Sequence, residues 1–264
     1  MPHAYFVLNH ESPSRCDYES DPATGGPWRA DLQHGGPPNA LLVHAAEQMA
    51  RRESEHADLV AVRLASEFVG PVPVADVSTT ARVVRNARTA VLVETSIEAA
   101  GRTCLTGRVW LVAGADTSAI AADPDPAPRP PTEYPPMADT GFPYGRTIEW
   151  RSVFGGLAEP GPARVWTRPT VPLLAGESMS ALQRAVLVGD SASGISAELD
   201  WAAWSFANVD LDVHLTRSVV GDWLLIDAAT HLGPGGYALA RSTLSDEHGL
   251  VGSTAQTLLV TPRR

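Results

Sequence analysis

The chain has 264 residues, 44% hydrophobic and 19% charged, a balance that excludes a disordered chain and fits one large domain or two of about 130 residues each. Acidic residues outnumber basic ones 30 to 20, and the net charge of −10 argues against a nucleic-acid surface, which needs a basic face to displace counterions. All 20 bases are arginine; without lysine, Schiff-base chemistry, pyridoxal-phosphate attachment and a Walker-type phosphate loop are excluded. In chain order, the first predicted element is a helix over Asn39 to Arg52, apolar at helical spacing, with Asn39 as its cap and two arginines complementing the dipole at its end. Four strands rich in Val, Thr, Ile and Leu follow: Val60 to Val69, Asp76 to Val84, Thr89 to Ala99 and Thr103 to Val112, with a hairpin tip at Gly101-Arg102.

From Gly114 to Gly145 the periodicity breaks. This segment holds 8 of the 22 prolines, including the run Pro124 to Pro131, so it reads as a linker. The second half repeats the order of the first. A helix is predicted over Glu177 to Val188, then strands at Ser205 to Thr216, Trp223 to Thr230, Tyr237 to Leu244 and Leu250 to Val260. Two short matches support a repeat: the last hairpins (Thr95 to Gly101 beside Thr243 to Gly249), and Val62-Arg-Leu64 beside Val209-Asp-Leu211. Consecutive strands joined by hairpins make the class α+β, each unit a long helix wrapped by an antiparallel sheet. The domains are expected at 1–113, 114–145 (linker) and 146–264.

No stretch reaches the roughly 18–20 apolar residues of a membrane helix, and the N-terminus lacks a basic and apolar leader pattern, so a cytoplasmic location is expected. Two cysteines, Cys16 and Cys104, cannot form a disulfide scaffold or a four-cysteine zinc site. His34, His44, His214 and His231 lack metal-ligand spacing, so no metal and no cofactor are expected. Wholesale arginine for lysine, with abundant Ala, Gly, Pro and Val, points to a GC-rich bacterial genome.

The string His34-Gly-Gly-Pro-Pro-Asn-Ala-Leu-Leu-Val-His-Ala-Ala-Glu47 resembles the Gly-Gly helix entry of the TesB-like acyl-CoA thioesterases. So do Asn208 to Arg217, Gly221-Asp-Trp-Leu-Leu225, Ser245 to Gly249 and Ala255 to Val260, which resemble that family's C-terminal half. The resemblance implies a double hotdog fold, an acyl-CoA substrate, a role in fatty acid metabolism and thioester hydrolysis without a covalent intermediate. It implies a catalytic Asp, hydroxyl residue and Gln that position a water. Carried onto this chain these are Asp210, Thr230 or its neighbour His231, and Gln256.

Those residue types suit the reaction. A carboxylate can take a proton from water, and a glutamine amide can both donate to and accept from it. Backbone N–H groups at a helix start can hold a carbonyl oxygen, the role open to Gly35 and Gly36, whose other reading is a plain tight turn. The strict alternation of Asn208 to Thr216 also fits Asp210 as a plain solvent-face carboxylate. Gln256 shares its face with Leu258 and Val260 and points inward. If the halves superpose, Arg63 takes the place of Asp210 and Arg108 that of Gln256, so one site per chain is expected.

Gly189-Asp-Ser-Ala-Ser-Gly194 lacks the spacing of a nucleophile elbow, and its Asp190, Ser191 and Ser193 read as caps or turns. Trp201, Trp204 and Phe206 suit either an aromatic core or the wall of an acyl tunnel. Two other functions fit the sequence: a silent acyl-CoA-binding protein, and a hydratase using Asp210 with His231. Uncovered sheet edges in such architectures are commonly covered by a second copy, so a homodimer is expected.

Overall fold

The computed structural model describes residues 4–54, 58–121 and 128–263. It is an α+β structure built on one antiparallel sheet of 13 strands. The first half contributes β1 (Phe6–Glu11), β2 (Arg15–Ser20), α1 (Gly36–Glu53), β3 (Leu59–Phe68), β4 (Val77–Ala87), β5 (Ala90–Ala99) and β6 (Arg102–Ala113). The second half contributes β7 (Ile148–Gly156), β8 (Glu159–Pro169), α2 (Ala181–Gly189), α3 (Ala192–Ile195), β9 (Trp204–Asn208), β10 (Asp210–Leu215), β11 (Leu224–Leu232), β12 (Tyr237–Asp246) and β13 (Gly249–Pro262). The spatial order is β1-β2-β4-β5-β6-β3-β10-β13-β12-β11-β8-β7, with β9 also paired to β13. The halves meet at the β3–β10 ladder, where Leu64 faces Val213.

Helix α1 packs on β3 to β6, and α2 packs on β3, β8 and β10 to β12. The helices also pack on each other, with Gly36 near Leu187 and Glu47 bonded to Gln183, so they run antiparallel. Helix α1 is buried at every position from Gly36 to Glu47, as expected for a helix enclosed by a sheet and a second helix.

Several boundaries differ from the sequence expectation. Helix α1 begins three residues early: its N-cap is Gly35, without a side-chain cap, and Pro37 and Pro38 occupy the first turn. Asn39 therefore does not cap; its Nδ2 donates back to the Gly35 carbonyl at 2.9 Å. Helix α2 starts at Ala181, capped by the Ser180 hydroxyl accepting from Gln183 N–H. The strand expected over Ser205 to Thr216 breaks at Val209 into β9 and β10. Strands β1, β2, β7 and β8 were not predicted: β1 is exposed over five of its six residues, and β8 begins among prolines. Pro160 and Pro162 precede the ladder to β11, which spans Ala163 to Thr167, so they cost it no donor. The hairpin turn lies at Ala100-Gly101, both with positive φ (49° and 74°), before β6 starts at Arg102.

Of the proline run, Pro124 and Pro126 lie outside the described residues. Pro131–Glu133 forms one 3-10 turn, and Pro136 makes a single bridge to Arg151. Both cysteines are unpaired. Among the described residues no helix is long and apolar enough to cross a membrane.

Two buried carboxyl groups carry opposite pH signatures. Asp246 is fully buried in a two-pronged pair with Arg217 at 2.6 Å, and it also accepts from Val220 and His248 N–H. Burial pushes its carboxyl up, but the arginine and the two amides prevail and hold it below the ordinary value. A depressed carboxylate stabilises the fold above the unfolded pKa and loses that contribution as pH falls through the folded one. Asp246→Ala leaves Arg217 without its partner and is expected to cost about 3 kcal/mol in denaturant unfolding at neutral pH.

Glu47 lies buried between the helices, 2.6 Å from the Gln183 amide. Burial raises its carboxyl above the ordinary value, against hydrogen bonds from Ser180 and Gln183. Here the folded chain binds the proton more tightly, so the stabilisation is fully present below the unfolded pKa and is lost as pH rises through the folded one. Glu47→Gln is therefore expected to raise the melting temperature relative to wild type more at pH 8 than at pH 5; an equal change at both values would refute the assignment.

Candidate active site

Three segments converge on one carboxylate. Asp190 follows the last turn of α2 and is 5% exposed. Its Oδ1 accepts from Asn208 Nδ2 at 2.8 Å and Gln256 Nε2 at 3.2 Å. Its Oδ2 lies 3.1 Å from His34 Nδ1. The Gln256 amide is fully used, with Nε2 donating also to the Asp190 carbonyl and Oε1 accepting from Ser193 N–H. The cluster draws on the loop before α1, the turn after α2, β9 and β13.

The Gly-Gly pair makes this approach possible. A Cβ on Gly35 would lie 2.8 Å from both Asp190 carboxylate oxygens, and one on Gly36 only 2.1 Å from the Leu187 carbonyl. Neither glycine has positive φ; what they supply is space. Pro37 and Pro38 have no N–H, so the positive end of α1 presents only the Gly35 and Gly36 donors. Gly36 N–H donates to His34 Nδ1 at 3.1 Å, and among the described residues Gly35 N–H has no acceptor.

His34 is held from behind. The Tyr144 ring stacks on it at 3.9 Å and 9°, and the Tyr144 hydroxyl donates to the Leu187 carbonyl at 2.7 Å. Burial holds the imidazole below its ordinary pKa, against the pull of Asp190, so the ring is neutral at neutral pH. The last residues of the proline-rich segment thus back His34.

Asp190, His34, Gly35, Ser193 and Asn208 line a cavity of about 340 Å3, completed mainly by aromatic and aliphatic side chains, including Phe68, Trp201 and Phe206. Trp204 stands apart, on β9 opposite Pro262.

The structure does not bring Asp210 to this cluster. Its Oδ1 accepts from Thr257 N–H and its Oδ2 from the Thr257 hydroxyl at 3.1 Å, at the break between β9 and β10. Thr257 and Gln256 are successive strand residues with opposite orientations, exposed and buried, so Asp210 and Gln256 serve opposite faces of the sheet. Thr230 faces inward in the same row as Ala240 and Gln256, about 10 Å from Gln256 across two strand spacings. Its hydroxyl lies 2.8 Å from Ser196 Oγ, below α3. His231 is exposed on the other face, three strands and about 14 Å from Asp210, so the two form no dyad.

Arg63 and Arg108 pair with Asp212 and Glu94, each at 3.0 Å. Arg108 is exposed, whereas Gln256 points in; the β6 residue with the inward orientation is its neighbour Val109. Asp190 and Asn208 were not singled out as site residues from sequence. The signal that could have found them is a short Asp between two Gly-bounded turns at the end of an apolar helix, and a polar residue just before the strand break.

Family models describing the acyl-CoA thioesterase N-terminal and C-terminal domains match residues 24–112 and 121–260. The chain belongs to the acyl-CoA thioesterase family. It is a thioester hydrolase by that membership. Solved structures share the fold at low identity. A TesB protein of Mycobacterium avium subspecies paratuberculosis is 18% identical, with 97% of this chain and 96% of that one covered and a TM-score of 0.72. The TesB2 acyl-CoA thioesterase II of Mycobacterium marinum is 16% identical, with 97% and 95% covered and a TM-score of 0.72. A hot dog fold protein of unknown function from Alicyclobacillus acidocaldarius is 15% identical, with 97% and 96% covered and a TM-score of 0.77. No curated protein sequence matches the chain.

Proposed function

We propose that this thioesterase hydrolyses acyl-CoA with Asp190 as the base that activates water, at a single site where the two halves meet. The observation that carries this reading is the Asp190 carboxylate on the wall of the cavity, against Gly35 at the positive end of α1. Asp190 takes a proton from water as the water oxygen adds to the thioester carbonyl carbon. The carbonyl oxygen gains the charge and is held by the Gly35 N–H, aided by the helix dipole. The C–S bond then breaks, the CoA sulfur leaves with the proton returned from Asp190, and the acid is released.

His34 orients the base. With its proton on Nδ1 it donates to Asp190 Oδ2 in place of accepting from Gly36 N–H. Gln256 and Asn208 fix Oδ1, and the second lone pair of Oδ2, beside His34, takes the proton. Thr230 supports this site through Ser196 at the end of α3. In this reading Asp210 stabilises the strand break and is not the base.

The chain is read as a double hotdog, with units at 1–113 and 146–264 joined by 114–145. The sheet order supports this, since β3 and β10 sit side by side at its centre, with α1 against β3 to β6 of the first half and α2 against β8 and β10 to β12 of the second as well as β3. A homodimer covering the free edges at β1 and β7 belongs to the same reading.

Incubation with acyl-CoAs and a thiol reagent tests the activity, with CoA release expected. Binding without release would leave a silent acyl-CoA-binding protein in its place. Tyr144→Ala removes the ring behind His34 and is expected to lower kcat about tenfold, while Tyr144→Phe, which keeps the stack, retains most of it. Equal loss in both variants would show that the hydroxyl, not the stack, matters.

A further inference from the structure

We propose that the indole of Trp201 is the end wall that limits acyl length; this rests on reading the 340 Å3 cavity as the acyl-CoA site. Trp201 lines that cavity on one side. On the other it lines a second cavity of about 320 Å3, whose walls include Leu157, Ala197 and Leu199. The two spaces are of similar size and, among the described residues, share only Trp201 and Gly194 in their walls, so Trp201 is the one side chain between them, and the second is walled largely by carbon.

The partition is braced. The Trp201 ring stacks on Trp28 with centroids 4.8 Å apart at 20°, and Phe206 meets it edge-on at 5.3 Å. Both geometries are favoured between aromatic rings and hold the indole in place. The brace joins the halves, since Trp28 precedes α1 and Trp201 follows α3.

The first cavity suits the acyl group rather than the pantetheine arm. Most of its polar side-chain groups are already engaged: Asp190 with His34 and Asn208, Arg29 with Asp31, and the Gln33 amide nitrogen with Ser20 and the Pro73 carbonyl, while among the described residues the Gln33 amide oxygen is left as one unpartnered acceptor. Pantetheine carries two amides that need partners, whereas an acyl chain needs only carbon contacts. At about 30 Å3 per heavy atom, a liquid-like share, the cavity holds about eleven atoms. After the thioester carbonyl, that leaves an acyl group of up to about ten carbons. Longer chains meet the indole; removing it is expected to open a passage between the two cavities beside the Gly194 backbone.

The test is a series of straight-chain acyl-CoAs of increasing length, measured as kcat/KM for wild type and for Trp201→Ala. Wild type is expected to lose at least about tenfold between octanoyl- and hexadecanoyl-CoA, the scale at which a pocket rejects excess methylenes. Trp201→Ala is expected to raise the hexadecanoyl-to-octanoyl ratio by about the same factor, with octanoyl-CoA still hydrolysed. Should the alanine variant fail to fold, Trp201→Leu keeps an apolar filler, opens part of the passage and should shift the ratio in the same direction. Wild-type activity on hexadecanoyl-CoA equal to that on octanoyl-CoA would overturn the inference, as would an unchanged ratio in the folded variants. No hydrolysis at any chain length would instead overturn the proposed function.

Discussion

Asp190→Asn is expected to lower kcat by about 100- to 10,000-fold, the range that a positioned base contributes, while the protein remains folded. Asparagine keeps the shape and one acceptor, so the bond from Asn208 survives, but the negative charge that withdraws the proton from water is gone. The fold has little reason to suffer, since the amide keeps the side-chain volume and the Oδ1 acceptor for Asn208 and Gln256. Asp210→Asn is the paired measurement, and it should stay within a few-fold of wild-type turnover. Its acceptor for the Thr257 N–H persists in the amide, so the expected stability cost is under about 1.5 kcal/mol, one net hydrogen bond. Steady-state kinetics of the two variants on one acyl-CoA separate the assignments. An active Asp190→Asn enzyme beside an inactive Asp210→Asn enzyme would return the base to the strand.

Gly36→Ala is expected to destabilise the protein by about 3 kcal/mol, the upper end of the ordinary cost of overpacking. The added methyl meets the Leu187 carbonyl at 2.1 Å, and that oxygen belongs to α2 backbone, so the helices must move apart. Gly35→Ala acts differently. Its methyl meets the Asp190 carboxylate oxygens at 2.8 Å and the Phe68 ring edge at 2.7 Å, both ends of side chains that can shift. Displacing the base by a fraction of an ångström to an ångström is expected to cost about 100-fold in kcat, with a much smaller stability loss than at Gly36. Thermal melts and kcat measured on both variants should therefore split, with stability lost at one glycine and turnover at its neighbour. Wild-type turnover in folded Gly35→Ala would show that the close approach to Asp190 plays no part in catalysis.

Much of the architecture was legible because its signals are local. Strands β3 to β6 and β10 to β13 carry alternating Val, Thr and Leu, and α1 carries apolar residues at helical spacing. The inward orientation of Gln256 followed from the same alternation. The edge hairpins β1–β2 and β7–β8 were not legible: exposed residues and prolines weaken the pattern, and only pairing with an existing sheet makes those segments strands.

The site was only partly legible. Gly35 and Gly36 stood out by type and spacing, but the reason for them is a second helix about 150 residues away. Asp190 looked like a turn residue because its neighbours are Gly and Ser. Its burial beneath Gly35, and its bonds to His34, Asn208 and Gln256, arise from the packing of α2 on α1 and β13. Asp210 was named as the reactive carboxylate by the family resemblance, whereas the alternation of its strand also fitted a plain solvent-face residue. The break at Val209 turns it toward Thr257 and leaves Asn208 to reach the site.

By itself, the sequence determined composition, the order of helices and most strands, and which face of each strand is apolar, since these depend on neighbours within a few residues. Only the tertiary structure decided which carboxylate enters the cavity, why two glycines precede α1 and that Trp201 lines the cavity. Each of those depends on contacts between segments far apart in the chain, where one added residue at a strand break or one missing Cβ at a helix crossing changes what meets what.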